Sequence, residues 1–298
     1  MTVETFQPRR SLIFTPGNRP ELVPKALATG ADMLCVDLED AIAPQHKDEA
    51  RAKTLALFAQ PQAADGVERI VRINCLRERQ GLSDVAAILD SERPPPALML
   101  TKVKSADEVR LLDDLITGAN TGTEIDIRFH VIIETNDGLD QAYRIARASA
   151  RIDSVLFGAV DMAAELRTTV SWETLLYARS RLVHAAAGAG LDLIDVPFLD
   201  LGDLDGLARE AAASATLGFT GKAAIHPKQI APINGAFTPD AAAIDRARRI
   251  IAAFEESDSG LVVIDGKLIE RPVVRSMYRI VAIAERTQAA PQPAEPAP

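Results

Sequence analysis

The 298-residue chain has two cysteines, four histidines, no surplus of basic charge and no long apolar run. Each shortage removes a class of function. Cys35 and Cys75 lie in or beside strand-like apolar runs, with no partners at metal-ligand spacing. They read as small buried thiols and not as a disulfide or a zinc site. The formal net charge is −9 and no DNA- or RNA-binding motif occurs, so nothing marks a nucleic-acid face. An anionic ligand would have to be met by a local cluster of Arg and Lys. No stretch approaches the roughly 20 apolar residues of a membrane span, and the start MTVETFQPRRS lacks the charged-then-apolar order of a signal peptide. The expectation is a cytoplasmic protein that binds neither membrane nor nucleic acid.

What the chain does have is a large apolar content, 47% hydrophobic against 25% charged, enough for a large core. Short apolar runs bounded by turn signals fall at 11–16, 33–38, 69–74, 97–102, 129–135, 154–159, 191–197 and 222–227. Stretches rich in Ala, Leu and Arg with helical period separate them. Strands that are nearly continuous in apolar residues belong to a parallel sheet covered by helices. The predicted fold class is therefore α/β, a (β/α)8 TIM barrel over residues 1–235. A C-terminal helical extension with a lid-like segment follows at 236–286, and a Pro- and Ala-rich disordered tail at 287–298.

Such barrels carry their active site at the C-terminal ends of the strands. Here those ends are polar: Thr15, Asp37 and Glu39, Arg72 and Asn74, Lys102, Glu134, Asp161 just past the sixth strand, Asp195 and His226. Glu134 and Asp161 end adjacent strands, about 4.8 Å apart, and could share one hard cation such as Mg²⁺; the alternative is two solvated acids at loop starts. His130 has the same parity as Glu134 but stands four residues earlier, roughly 13 Å away along the strand, and belongs to the opposite end. Arg72, flanked by Val71 and Ile73, cannot lose its proton and needs an anion, either a substrate carboxylate or Asp37 or Glu39. The Pro-Gly turn in TPGNRPELVPKA, with Arg19 and Lys25, suits a phosphate, and Lys102 could add to it; the alternative is an ordinary surface turn with solvated lysines. His226 before Pro227 is either a general base or a structural hydrogen-bonder, and His46 and His184 carry no signal.

Six segments in order, RRSLIFTPGNRPELVPKALATGADMLCVDLEDAIAP, VRIN, IIETNDGL, LFGAVDMAAEL, GKAAIHPKQI and DGKLIERPVV, resemble the CoA-ester lyases related to the citrate lyase β-subunit, within the HpcH/HpaI aldolase superfamily. The resemblance runs from about Arg9 to about Arg286. It implies a Mg²⁺-dependent barrel in a homotrimer or hexamer, whose C-terminal segment reaches a neighbour's active site. By motif, Glu134 and Asp161 would be metal ligands, Arg72 the substrate-binding and oxyanion-stabilising group, and Asp37 and Glu39 its orienting acids. Gly158 and Ala159 would lie against the substrate, and Pro16, Gly17, Asn18, Arg19, Lys25 and Lys102 against CoA.

The reaction so implied is cleavage of a short 3-hydroxyacyl-CoA, of malyl, methylmalyl, citramalyl or citryl type, into an acyl-CoA and a 2-keto acid. Two other activities share the site: a citrate lyase β-subunit working on a carrier-bound citryl thioester, and an aldolase on free 2-keto-4-hydroxy acids. Where several relatives carry an Asp as acid/base, this chain has Glu270, one methylene longer. A displacement of about 1.5 Å bears more on synthase or thioester-hydrolysis side activity than on simple cleavage.

Overall fold

The apolar runs of the first 230 residues become strands because both of their faces are covered, by helices outside and by one another inside. The computed structural model describes residues 7–119, 126–257 and 261–289. Its strands are β1 (Ser11–Pro16), β2 (Met33–Asp37), β3 (Glu68–Arg72), β4 (Ala97–Leu100), β5 (Arg128–Ile133), β6 (Ile152–Phe157), β7 (Asp192–Asp195) and β8 (Gly221–Ala224). They pair in parallel in chain order, and β8 returns to β1 through Ser11 opposite Lys222, closing the barrel. The predicted (β/α)8 architecture is therefore observed.

The helices are α1 (Val23–Leu27), α2 (Lys47–Ala59), α3 (Arg79–Leu89), α4 (Ala106–Gly118), α5 (Asn136–Ile145), α6 (Ala159–Leu166), α7 (Trp172–Ala189), α8 (Leu204–Leu217), α9 (Ile230–Phe237), α10 (Ala241–Glu255) and α11 (Arg271–Ala289). Two corrections concern this list. Residue 159 does not end the sixth strand: β6 stops at Phe157, and α6 starts at once. The predicted tail begins too early, since α11 continues to Ala289, while 290–298 lie outside the described residues. Among the described residues no helix is long and apolar enough to cross a membrane.

Side chains alternate along each strand, which divides the core. Leu34, Val36, Val71, Ile73, Val131 and Ile133 face outward into the layer shared with the helices. Cys35, Ile70, Met99, Ile132, Leu156 and Ala223 face inward and fill the barrel. On three strands the next inward position toward the C-terminal end is polar: Asp37 after Cys35, Arg72 after Ile70, Glu134 after Ile132. A packed interior thus ends in a ring of charge.

The C-terminal elements have a core of their own. Ile250, Ile269 and Val274 form a separate small core with Ile251, Phe254, Val262, Ile264 and Met277. Between α10 and α11 lies an antiparallel hairpin, β9 (Leu261–Ile264) and β10 (Lys267–Glu270). Its turn is Asp265–Gly266, with φ of 51° and 71°. Two left-handed residues in a two-residue loop match the right-handed twist of the strands, and Asp-Gly is a favoured pair there.

Candidate active site

The ring is organised around Arg72. In register with Asp37 across β2 and β3, its Nε lies 2.6 Å from Asp37 Oδ1 and its Nη2 2.5 Å from Oδ2, a bidentate pair. Asp37, only 1% exposed, also accepts the backbone N–H groups of Glu39 (2.8 Å) and Ala41 (3.0 Å), so it cannot swing away. Nη1 of Arg72 lies 3.1 Å from Glu39 Oε2, and the guanidinium stacks 5.1 Å from the Phe14 ring centroid. Burial opposes the charge on Arg72, but Asp37 and Glu39 more than offset it and hold the pKa above its ordinary value. Burial also pushes the Glu39 carboxyl up, against the pull of Arg72 and Lys102.

Lys102 departs from its expected place. β4 ends at Leu100, and Lys102 sits beyond it in the left-handed region, φ 53°, unusual for a residue with a Cβ. This strained backbone aims its N–H at Glu134 Oε1 (2.7 Å), while its ammonium turns inward to Glu39. This contact with the buried Glu39 sets Lys102 apart from Arg19 and Lys25, the other cations expected to meet CoA. The phosphate turn is also weaker than expected. A 3-10 turn at Pro20–Leu22 and the five-residue α1 replace a full helix, so little dipole is aimed at an anion. Arg19 is 58% exposed and paired with Glu21 at 3.0 Å, and Lys25 is exposed. Gly17 is buried, and a Cβ there would press on Leu38 and the Asp37 carbonyl, which accepts the Gly17 N–H at 2.8 Å.

Glu134 and Asp161 differ from every acid named so far. Neither has a cationic side chain within ion-pair distance among the described residues. Glu134, 4% exposed, accepts the Lys102 N–H. Burial, then the charges of Asp161 and Glu39, push its carboxyl up to about 8. Asp161 lies in the first turn of α6, the third residue of the helix that starts at Ala159 after Gly158. Gly158 leaves the space that Glu134 occupies: a Cβ there would stand 2.5 Å from Oε2. No group of three or more His, Cys, Asp or Glu fit to hold a metal occurs among the described residues. The donor set is thus two carboxylates, all hard oxygen, which fits an ion such as Mg²⁺ that keeps several of its waters.

These groups line a cavity of about 320 Å³ at the C-terminal end of the barrel, with Phe14, Asp40, Ile132, Leu156, Val196 and Ile225 among its other walls. Arg72, Asp37, Glu134, Gly158, Ala159 and Asp161 all line it, so the structure brings these six together. Asp195 does not offer its carboxylate there. Fully buried, it binds Arg179 (3.1 Å), Lys222 (2.8 Å) and Ser214 (2.6 Å) on the helix side of β7. His226 is a turn cap, its Nδ1 accepting the Lys228 N–H at 3.1 Å. Glu270, at the exposed end of β10, is not part of this cavity.

Sequence reasoning missed Lys47 and Asp84. Nζ of Lys47 donates to the carbonyls of Leu38 (2.8 Å) and Glu39 (2.6 Å) and to Asn74 Oδ1 (2.7 Å). Asp84 in turn fixes Asn74 through its N–H (2.9 Å) and its amide (2.7 Å). One signal was available: Lys47 opens α2, where a cation opposes the helix dipole and so needs another reason to be there.

Comparison with known proteins identifies the family. The family model for HpcH/HpaI aldolase/citrate lyase matches residues 10–227. The mitochondrial citramalyl-CoA lyase of Rattus norvegicus is 32% identical, over 94% of this chain and 87% of that protein. The citrate lyase subunit beta of Leuconostoc mesenteroides subsp. cremoris is 34% identical, over 93% of each. Among solved structures, CitE from Mycobacterium tuberculosis in complex with magnesium, acetoacetate and coenzyme A superposes with a TM-score of 0.75 at 28% identity, over 93% of this chain and 98% of that one. With a family model matching most of the chain and relatives at 32–34% identity over nearly its whole length, the chain belongs to the HpcH/HpaI aldolase/citrate lyase family.

Proposed function

We propose that this protein is a Mg²⁺-dependent carbon–carbon lyase that cleaves a short 3-hydroxyacyl-CoA into an acyl-CoA and a 2-keto acid. The observation that carries the reading is the pairing of two unlike halves in one cavity: Glu134 and Asp161, with no cationic side chain at ion-pair distance among the described residues, and Arg72 locked by Asp37. Glu134 and Asp161 would hold the cation, which when bound acts as a Lewis acid and a template for the substrate's acid end.

The substrate hydroxyl loses its proton to a base and becomes the keto group as the adjacent carbon–carbon bond breaks. That electron pair stays with the acyl-CoA as an enolate, and a general acid returns a proton to its carbon. Arg72 is placed for the negative charge that develops on the thioester oxygen. Asp37 holds it there in advance, so little reorganisation is needed when the charge appears. Glu39 keeps both Arg72 and Lys102 in place. Exposed Arg19 and Lys25, beside Pro16, Gly17 and Asn18, are the groups we assign to the CoA phosphates.

Glu270 would complete the site from a neighbouring copy, in a homotrimer or a hexamer. Supporting this are a C-terminal hairpin with its own small core, exposed apolar side chains on it at Leu261, Val263 and Leu268, and matching ones around the mouth at Val160, Leu199 and Ile225. Two buried free thiols, Cys35 and Cys75, support the reducing environment of the cytoplasm.

The test is release of 2-keto acid from malyl-, β-methylmalyl-, citramalyl- and citryl-CoA by the purified chain, with Mg²⁺ and with EDTA. Metal-dependent release from at least one ester is expected. Release from none would turn the reading toward a carrier-bound thioester or free 2-keto-4-hydroxy acids.

A further inference from the structure

Two acids hold Arg72, and the loop that carries them is gripped from its other side by one lysine. Lys47 Nζ has three N–H donors and meets three acceptors: the carbonyls of Leu38 (2.8 Å) and Glu39 (2.6 Å) and Asn74 Oδ1 (2.7 Å). The peptides here are trans, so the C=O and N–H of each unit point in opposite directions. The unit with the Leu38 carbonyl carries the N–H of Glu39, which donates to Asp37 Oδ1 at 2.8 Å. The next unit, with the Glu39 carbonyl, carries the N–H of Asp40, which donates to Glu39 Oε2 at 3.2 Å. Those two oxygens are the ones that meet Arg72: Oδ1 accepts its Nε at 2.6 Å, and Oε2 lies 3.1 Å from its Nη1. Two successive peptides thus run from Lys47 on one side to the partners of Arg72 on the other, and hydrogen bonds in series polarise one another.

The lysine is itself fixed. Its third acceptor, Asn74, is held by the fully buried Asp84, which accepts the Asn74 backbone N–H at 2.9 Å and its side-chain amide at 2.7 Å. Asp84 Oδ1 also accepts Arg51 Nε at 2.6 Å, and Arg51 stands one turn after Lys47 on α2. The chain of contacts therefore closes on the helix it started from. The position is otherwise unfavourable for a cation, since Lys47 opens α2, where the dipole favours acids such as the adjacent Asp48 and Glu49. Lys47 does not line the cavity, so any part it has in the chemistry must pass through the loop.

Resting on the lyase reading, we infer that Lys47 is a positioning residue for the reaction: it sets the angle at which Asp37 and Glu39 present the Arg72 guanidinium to the thioester oxygen. It fixes the direction of two peptides. Without it Asp37 and Glu39 keep their pairing with Arg72, but the three are free to shift together. The loss then falls on the charge that develops during cleavage and not on the hold on the ester.

The test is kcat and KM of Lys47→Met for an ester that the wild-type chain cleaves, with folding checked by circular dichroism. The expected result is a kcat lower by about tenfold to a hundredfold with KM within about threefold, because a displaced Arg72 is felt most in the transition state. A kcat within about twofold of wild type, or a loss confined to KM, overturns the inference. If Lys47→Met does not fold, Lys47→Arg is read in its place. A planar fork cannot reach three acceptors set around one point, so kcat should fall by about threefold to tenfold; a wild-type kcat overturns the inference. Failure of the lyase reading itself is told apart by hydrogen exchange. If the wild-type chain cleaves no ester, the amides of Glu39, Asp40 and Ala41 should still exchange about tenfold or more faster in the variant, with those of β3 unchanged. Unchanged exchange at these three amides overturns the inference.

Discussion

The two ends of the barrel use the same residue types to opposite effect. At the N-terminal end Arg9 reaches Glu68 at 2.7 Å, Asp153 at 3.0 Å and Asp192 at 3.2 Å, and Arg128 adds a second cation to Asp153. His130, fully buried, shares a 2.7 Å hydrogen bond with Ser154 through Nδ1, and its Nε2 lies 3.2 Å from Glu68 Oε1, off the hydrogen-bonding line. Burial pushes the Glu68 carboxyl up, but His130 and Arg9 more than offset this and bring it down to about 2. At the C-terminal end Glu134 is also buried, yet its near neighbours are acids, and its carboxyl goes up to about 8. Burial alone therefore does not set these groups; the presence or absence of a facing cation does. An end that closes its charges holds the barrel together, and an end that leaves two open is equipped to bind.

The sharpest way to break this comparison is to neutralise each end in turn. Glu134→Gln should lower kcat/KM about 10³-fold or more by removing a carboxylate proposed to hold the metal, while raising stability in EDTA near pH 8, where the buried carboxylate is a burden. Arg9→Met should do the reverse. It leaves Glu68 without its arginine and should cost about 3 kcal/mol in denaturant melts, with kcat of the folded fraction changed by no more than about twofold. A large activity loss from the arginine change, or a stability loss from the glutamate change, would mean the two ends are not separate in function.

Acidity sharpens the comparison further, because the two glutamates respond with opposite sign. Starting from an unfolded value of 4.5, the folded Glu68 is lowered to about 2, so its contribution is full above about pH 4.5 and is lost as the pH falls toward 2. Folded Glu134 is raised to about 8, so its contribution is full below about pH 4.5 and is lost as the pH rises through 8. In EDTA the melting temperature should fall by several degrees between about pH 6 and 8.5, and Glu134→Gln should flatten that slope.

Smaller effects come from the residues that shape the open end. Gly158→Ala puts a Cβ against Glu134 Cβ and 2.5 Å from its Oε2, so β5 and α6 must part slightly and the carboxylate must move, which should cost roughly tenfold to a hundredfold in kcat/KM together with a fall in melting temperature. Lys102→Met leaves Glu39 with Arg72 as its remaining cation, and should cost about tenfold in activity and about 1 kcal/mol in stability. A kcat/KM for Lys102→Met that falls only through weaker CoA-ester binding would place Lys102 at the phosphate site.

Much of this arrangement was legible in the sequence for a physical reason. A barrel strand covered on both faces must be apolar until it ends, so the first inward polar residue, as at Asp37, Arg72 and Glu134, marks the site directly. The helix at Ala159–Leu166 was hidden because it follows β6 without a turn signal, and Gly158–Ala159 reads as more apolar strand. Lys47 and Asp84 could not be placed, because their value comes from α2 and α3 packing beside the end of β3, a relation with no local pattern. The contact of Lys102 with Glu39 was not legible, because a lysine at a strand end looks free until its left-handed backbone turns it inward. Asp195 looked like a site acid by its position and proved to belong to a buried network with Arg179 and Lys222.

The central claim is that Glu134 and Asp161 form a cation site in which burial and the neighbouring charges of Asp161 and Glu39 raise the Glu134 pKa. Calorimetric titration of the full chain with Mg²⁺, in buffers of differing ionisation enthalpy, measures both parts together. The account predicts binding that releases about one proton at pH 6.5 and about none near pH 9.5, and that is lost in Glu134→Gln. Binding with no proton release at either pH, or equal binding by the variant, would contradict it.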